Sequence, residues 1–193
     1  MIVTNIISLS RIPILFMVVV FLHIPISWLS VLNVLLFIFG SLTDWLDGFL
    51  ARKFKLISDF GKILDTLTDK VYTIGLYIAL LTLGLLPEWA LITVLIILTR
   101  EFVVTGLRLL AINDNIILAA ENIGKLKTSL KMTSIGIFLF YKALIINNLF
   151  ILSNFMISTI YGIGLTCFLF SVLLTLVSGV NYILLYGYLL KNK

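Results

Sequence analysis

The chain has 193 residues, of which 61% are hydrophobic and only 12% charged, and its mean hydropathy is +1.20. These values exclude an ordinary soluble domain and describe a polytopic membrane protein, expected to form one domain over residues 1–193. One cysteine (Cys167) rules out an internal disulfide framework, and one histidine (His23) speaks against a zinc centre. The net charge of +5 reads as cytoplasmic-side Lys and Arg and not as a nucleic-acid footprint.

The fold expected is all-α, with six transmembrane helices. The opening stretch MIVTNIISLSR is short and mildly amphipathic, which predicts a short N-terminal interfacial helix. The first span then runs from about Ile12 to His23, with Pro13 near its start, where a missing N–H is tolerated. His-Ile-Pro-Ile-Ser (23–27) reads as a tight outer turn. The second span starts near Trp28 and ends in an acidic stretch. The third runs from about Lys62 to Leu86, and Pro87-Glu88 turns the chain. Trp89 opens the fourth span, so Trp28 and Trp89 sit at one membrane face, as in an aromatic belt. Arg100, Glu101, Thr105 and Arg108 lie toward the far end of that span, and a polar connection, AINDNIILAAEN, follows. The fifth span begins at Gly124-Lys125-Leu126-Lys127-Thr128 and ends near Lys142. Residues 147–158 make the last outer connection. The remaining apolar stretch, 157–190, is longer than the roughly 20 residues one crossing needs.

Between the second and third spans lies DWLDGFLARKFKLISDFGKILDTLTDK, residues 44–70. It holds five of the nine acidic residues of the chain. On a helix, Asp44, Asp47, Gly48 and Ala51 fall at i, i+3, i+4 and i+7 and share one face. Gly61, Asp65 and Asp69 share a second face at i, i+4, i+8. Four carboxylates crowded at a membrane edge must be protonated or neutralised by cations. All-oxygen ligation suits Mg²⁺, Mn²⁺ or Ca²⁺, and Mg²⁺ is usually completed by substrate phosphates. The plainer reading is a solvated loop in which the acids pair with Arg52, Lys53, Lys55, Lys62 and Lys70. That accounts for Asp59, but not for paired carboxylates flanked by glycine on the membrane-facing segments.

The pattern Asp44-x-x-Asp47-Gly48-x-x-Ala51-Arg52, eight residues, then Gly61-x-x-x-Asp65-x-x-x-Asp69 resembles the signature of the CDP-alcohol phosphatidyltransferase family, at every fixed position and in the gap. The resemblance implies a six-helix membrane enzyme, usually a homodimer, with two divalent cations, Mg²⁺ or Mn²⁺. It implies that Asp44, Asp47 and Asp65 hold the metals against the pyrophosphate of a CDP-linked donor. Asp69 would ligate metal and act as base toward the acceptor hydroxyl. Gly48, Ala51 and Gly61 would leave room for CDP-diacylglycerol, with Arg52 facing its phosphates.

Nearly all Lys and Arg fall toward one face, from Arg11 through the 52–70 group to Arg100, Arg108, Lys125, Lys127, Lys131, Lys191 and Lys193. Only Lys142 falls toward the other. The positive-inside rule then puts both termini and the aspartates at the cytoplasmic face of the cell membrane. Arg100, Arg108, Lys125 and Lys127 are candidates to bind the phosphate of an acceptor, Arg by a bidentate fork and Lys by point charge. Each also has the plainer reading of a positive-inside collar. The stretches around Thr43–Phe49, Arg100–Arg108 and Gly124–Thr128 are similar to family members that make phosphatidylglycerophosphate. That similarity implies glycerol 3-phosphate as acceptor and CMP as by-product. Another alcohol such as inositol phosphate is the alternative within the family. An intramembrane prenyltransferase or a cation-coupled transporter is the alternative outside it.

Overall fold

Away from water the chain must satisfy its own backbone, and apolar runs this long do so as helices. The computed structural model describes residues 2–54, 59–113, 122–147 and 153–186. Their regular structure is entirely α-helical: α1 (Ile2–His23), α2 (Ser27–Phe54), α3 (Asp59–Thr82), α4 (Ala90–Asn113), α5 (Asn122–Ile146) and α6 (Asn154–Tyr186). Within these helices, three (α4, α5 and α6) contain windows long and apolar enough to cross a membrane. Shorter apolar windows occupy Ser8–His23 of α1 and Ser27–Thr43 of α2.

α1 packs on α2 and α3, α5 packs on α2, α3 and most extensively α6, and α4 packs on α3 and α6. The common core holds Val18, Tyr72, Leu76, Leu80, Ile135, Phe138 and Phe168. The outside is as apolar as the inside: Phe16, Leu35, Ile92, Phe155 and Leu184 are all exposed. Polar groups are instead drawn inward, with Arg11, Asn33, Ser134, Ser171, Thr175 and Ser178 buried. That inversion suits a hydrocarbon solvent, in which helices associate through packing and internal hydrogen bonds.

Three boundaries differ from those expected, each for a local reason. The N-terminal stretch is not a separate interfacial helix but the first half of α1, which runs unbroken through Pro13. A proline there removes only the donor to the Leu9 carbonyl, and the buried Arg11 side chain ties this half of the helix to α3. α3 stops at Thr82, four residues before Leu86. Gly84, at φ 66°, lets Leu85 N–H reach the Leu80 carbonyl (3.0 Å) and Gly84 N–H the Leu81 carbonyl (3.0 Å). This is a Schellman cap, with buried Leu80 and Leu85 as its apolar contact. α6 starts at Asn154, inside the expected last connection, because Ser153 accepts from Met156 N–H and caps it. Its 33 residues extend about 50 Å, so the excess length anticipated for the last span is present as helix. The connection 55–58, residues 114–121 and residues 187–193 lie outside the described residues.

Candidate active site

The site is built on α3. Asp65 and Asp69 stand one turn apart, with Gly61 a turn before them. Behind them lies Arg11 of α1, whose Nη2 donates to Asp65 Oδ1 at 2.5 Å and whose Nη1 lies 3.8 Å from Asp69 Oδ1. Ser8, one turn earlier on α1, donates from Oγ to the same Asp65 oxygen at 3.5 Å. The exposures are unequal: 1% for the Arg11 side chain, 50% for Asp65 and 35% for Asp69. The cation is sealed between helices while the two carboxylates keep an accessible side. α1 comes this close because position 75 is glycine. A Cβ there would lie 2.8 Å from Leu15 Cδ2, and Leu15 shares a face of α1 with Arg11.

α2 carries Asp44, Asp47, Gly48, Ala51 and Arg52 in its last three turns. Their side chains lie outside the described residues, as do those of Asp59 and Arg108. Among the described residues the backbones of α2 and α3 do not come into close contact. An aromatic spacer stands between them instead. Tyr72 stacks on Phe37 at 6.5 Å, with its hydroxyl lodged where a Cβ on Gly40 would be. Tyr72 of α3 thus packs against Phe37 and Gly40 of α2, one turn from Asp69.

A second charged group lies between α4, α5 and α6. Glu101 Oε1 meets Lys131 Nζ at 2.8 Å, Lys127 Nζ at 3.0 Å and Arg100 Nη1 at 3.5 Å. Arg100 Nη2 also donates to Ser178 Oγ of α6 at 2.5 Å. Gly179 makes room for its stem, since a Cβ there would lie 2.7 Å from Arg100 Cγ. Thr105 Oγ1 donates to the Glu101 carbonyl at 2.7 Å and accepts from Lys70 Nζ of α3. Tyr77 fixes the register of α5, its hydroxyl paired with Ser134 at 3.0 Å and with the Lys131 carbonyl at 3.3 Å. Among the described residues α4 and α5 also lack close backbone contact, so long side chains cross the gap.

Of the residues singled out by sequence, Asp65 and Asp69 come together on α3, and Arg100 and Lys127 come together across α4 and α5. Lys125 is exposed, on a different face of α5 from Lys127. Arg11 and Lys70 were assigned only to the basic collar or the loop, and here they are buried and bonded; Lys131, a basic neighbour of the acceptor candidates in the sequence, is likewise buried and bonded. For Arg11 a signal existed: an arginine heading an apolar run, three residues after Ser8, is too expensive to leave unpaired.

These residues fit a hard divalent cation, because Asp65 and Asp69 offer carboxylate oxygens on one accessible face. Comparison with known proteins bears on the chain as a whole. The model of the CDP-alcohol phosphatidyltransferase family matches residues 1–177. A Bacillus subtilis protein named CDP-diacylglycerol–glycerol-3-phosphate 3-phosphatidyltransferase is 40% identical over 126 residues, 65% of this chain and 60% of that protein. A Rickettsia typhi protein of the same name is 35% identical over 133 residues, 69% of this chain and 73% of its own length. One from Wigglesworthia glossinidia brevipalpis is 37% identical over 150 residues, 74% and 79% of the two chains.

Glu101 is the sole carboxylate among the contacts described for this cluster, so its neutralisation leaves three cations facing one another. Glu101→Gln is expected to destabilise the protein by on the order of 3 kcal/mol, as when one partner of a buried ion pair is lost. Adding Lys131→Met should return part of that stability. Thermal unfolding of the two variants in detergent checks the pair, and equal losses in both would show that the cations do not repel through Glu101.

Proposed function

The chain belongs to the CDP-alcohol phosphatidyltransferase family, and from that premise we propose that it transfers the phosphatidyl group of CDP-diacylglycerol to glycerol 3-phosphate, giving phosphatidylglycerophosphate and CMP. The names of its relatives support the donor and the acceptor. The observation that carries the choice of a phosphorylated acceptor is the cluster of Arg100, Lys127 and Lys131 on the single carboxylate of Glu101. Among the described contacts three cations share that one carboxylate, a setting that suits a phosphate and that free serine or glycerol would not use.

Metal dependence is general in this family, and Asp44, Asp47, Asp65 and Asp69 are the residues we assign to two Mg²⁺ or Mn²⁺ ions. Bound there, the ions would supply the positive charge that a pyrophosphate and a departing CMP require. We assign the space for the nucleotide to Gly48, Ala51 and Gly61, and the binding of its phosphates to Arg52. Arg100 and Lys127, joined by Lys131, hold the acceptor phosphate, with Arg108 and Lys125 completing the basic set. The acceptor hydroxyl then attacks the phosphorus that bears diacylglycerol. Its proton goes to a carboxylate oxygen of Asp69, and the phosphoanhydride bond breaks, with its electron pair leaving on CMP. The acyl chains remain in the bilayer throughout, because the headgroup enters from the side.

Purified protein given CDP-diacylglycerol should release CMP with glycerol 3-phosphate and not with free glycerol, serine or inositol, and Asp69→Asn should abolish that release. A preference for an unphosphorylated alcohol would sink the acceptor assignment. Arg100→Ala removes one charge-assisted phosphate contact, of about 1.5–3 kcal/mol, and should lower kcat/KM for glycerol 3-phosphate roughly 10- to 150-fold. The KM for CDP-diacylglycerol should change much less. If the loss falls on CDP-diacylglycerol instead, Arg100 belongs to the donor.

We also propose that the enzyme sits in the cell membrane as a homodimer, with its aspartates and termini in the cytoplasm. The basic asymmetry supports this orientation, and Lys142 is consistent with it: its Nζ donates to the Leu22 carbonyl, at the opposite end of α1 from the N-terminus. Cysteines placed at Ser27 and Asn148 in a Cys167→Ala background should label from outside intact cells. Labelling at Ser58 from outside would reverse the orientation.

A further inference from the structure

Arg11 has no part in the reaction as described above, yet it is the most deeply buried cation described, and it touches the two acidic residues on which that reaction depends. We propose that Arg11 is a positioning residue for the cation-binding carboxylates: from behind α3 its guanidinium spans Asp65 and Asp69 and fixes how both face a divalent ion. The proposal rests on the reading that these aspartates ligate metal.

Three observations carry it. The guanidinium is fixed, buried between α1 and α3 with Leu15 seated against Gly75 one turn away. Its contacts run to the Oδ1 atoms of residues one turn apart, a span that suits a planar fork and not a single ammonium. Finally, the carboxylates stay partly accessible while the arginine does not, so ligands reach Asp65 and Asp69 from the side that Arg11 leaves open. Partners that orient metal ligands in this way commonly change metal affinity by 10- to 100-fold when altered.

A positive charge beside two metal ligands also repels the metal, so a neutral substitution would mix two effects of opposite sign. The decisive variant keeps the charge. Arg11→Lys, purified in detergent with zwitterionic lipid, is titrated with Mn²⁺ while the EPR signal of the free ion is followed. The expected result is about a tenfold or greater loss of Mn²⁺ affinity at temperatures where the variant remains folded, with kcat lowered and the KM for glycerol 3-phosphate nearly unchanged. Wild-type affinity in folded Arg11→Lys would overturn the proposal and leave Arg11 as a staple between helices. Should Arg11→Lys not fold, Gly75→Ala decides: its Cβ displaces Leu15, and with it the Arg11 face of α1, without changing any charge. Reduced Mn²⁺ affinity there supports the proposal and unchanged affinity overturns it. Asp65→Asn is measured alongside. If it binds Mn²⁺ as the wild type does, the metal reading itself has failed; if it loses Mn²⁺ while Arg11→Lys keeps it, only the role of Arg11 has.

Discussion

A charge held between helices in a low-dielectric surround persists only where an opposite charge meets it, and two such meeting points stand among the described residues. For a pair 3 Å apart at an effective dielectric of 20, the attraction is roughly 5 kcal/mol. Desolvation removes several kcal/mol from each ion. The two terms nearly cancel, so neither the Arg11–Asp65 contact nor the Glu101 cluster is a strong source of stability. What each supplies is direction. Arg11 comes from α1 to meet α3, while Lys127 and Lys131 come from α5 to meet α4. Each pairing specifies a relation between helices that apolar packing against lipid-like surfaces would leave loosely defined.

The spaces around those charges follow from the sizes of the neighbouring residues. Where two helices must touch, a glycine stands at the contact: Gly75 under Leu15 for α1 and α3, and Gly164 under Ile137 and Phe138 for α6 and α5. Where they must stay apart, something large or long stands between them. Among the described residues Tyr72 stands between α2 and α3, and the Lys–Glu contacts span from α5 to α4.

Much of this was legible in the sequence, and what was not has a physical cause. Six helices follow from apolar length alone, and the aspartate spacing marked Asp65 and Asp69 as neighbours because i, i+4 is a covalent property of a helix. Relations across helices carry no such imprint. Arg11 lies 54 residues from Asp65 and Lys131 lies 30 from Glu101, and nothing in the spacing of either pair announces the contact. Only the expense of burying an unpaired cation pointed to Arg11, without identifying its partner. The end of α3 was misplaced for the opposite reason. Leu83, Leu85 and Leu86 extend the apolar pattern past the helix, and one glycine in the left-handed region overrides it.

α3 has the one position from which both charged groups are reached. Consecutive residues of a helix point about 100° apart, so Asp69 and Lys70 leave the same turn in different directions. Asp69 turns toward Arg11 on α1, and Lys70 reaches Thr105 on α4, whose hydroxyl bonds the Glu101 carbonyl. The residue assigned as base is thereby one peptide bond from a side chain that ties into the basic cluster. A proton acceptor and a phosphate site set by separate helices would drift with every change in helix packing, and a displacement of 1 Å can cost 100-fold in rate. The basic cluster stands on α4 and α5, and the contact of Lys70 with Thr105 is what ties it to the helix that carries Asp69.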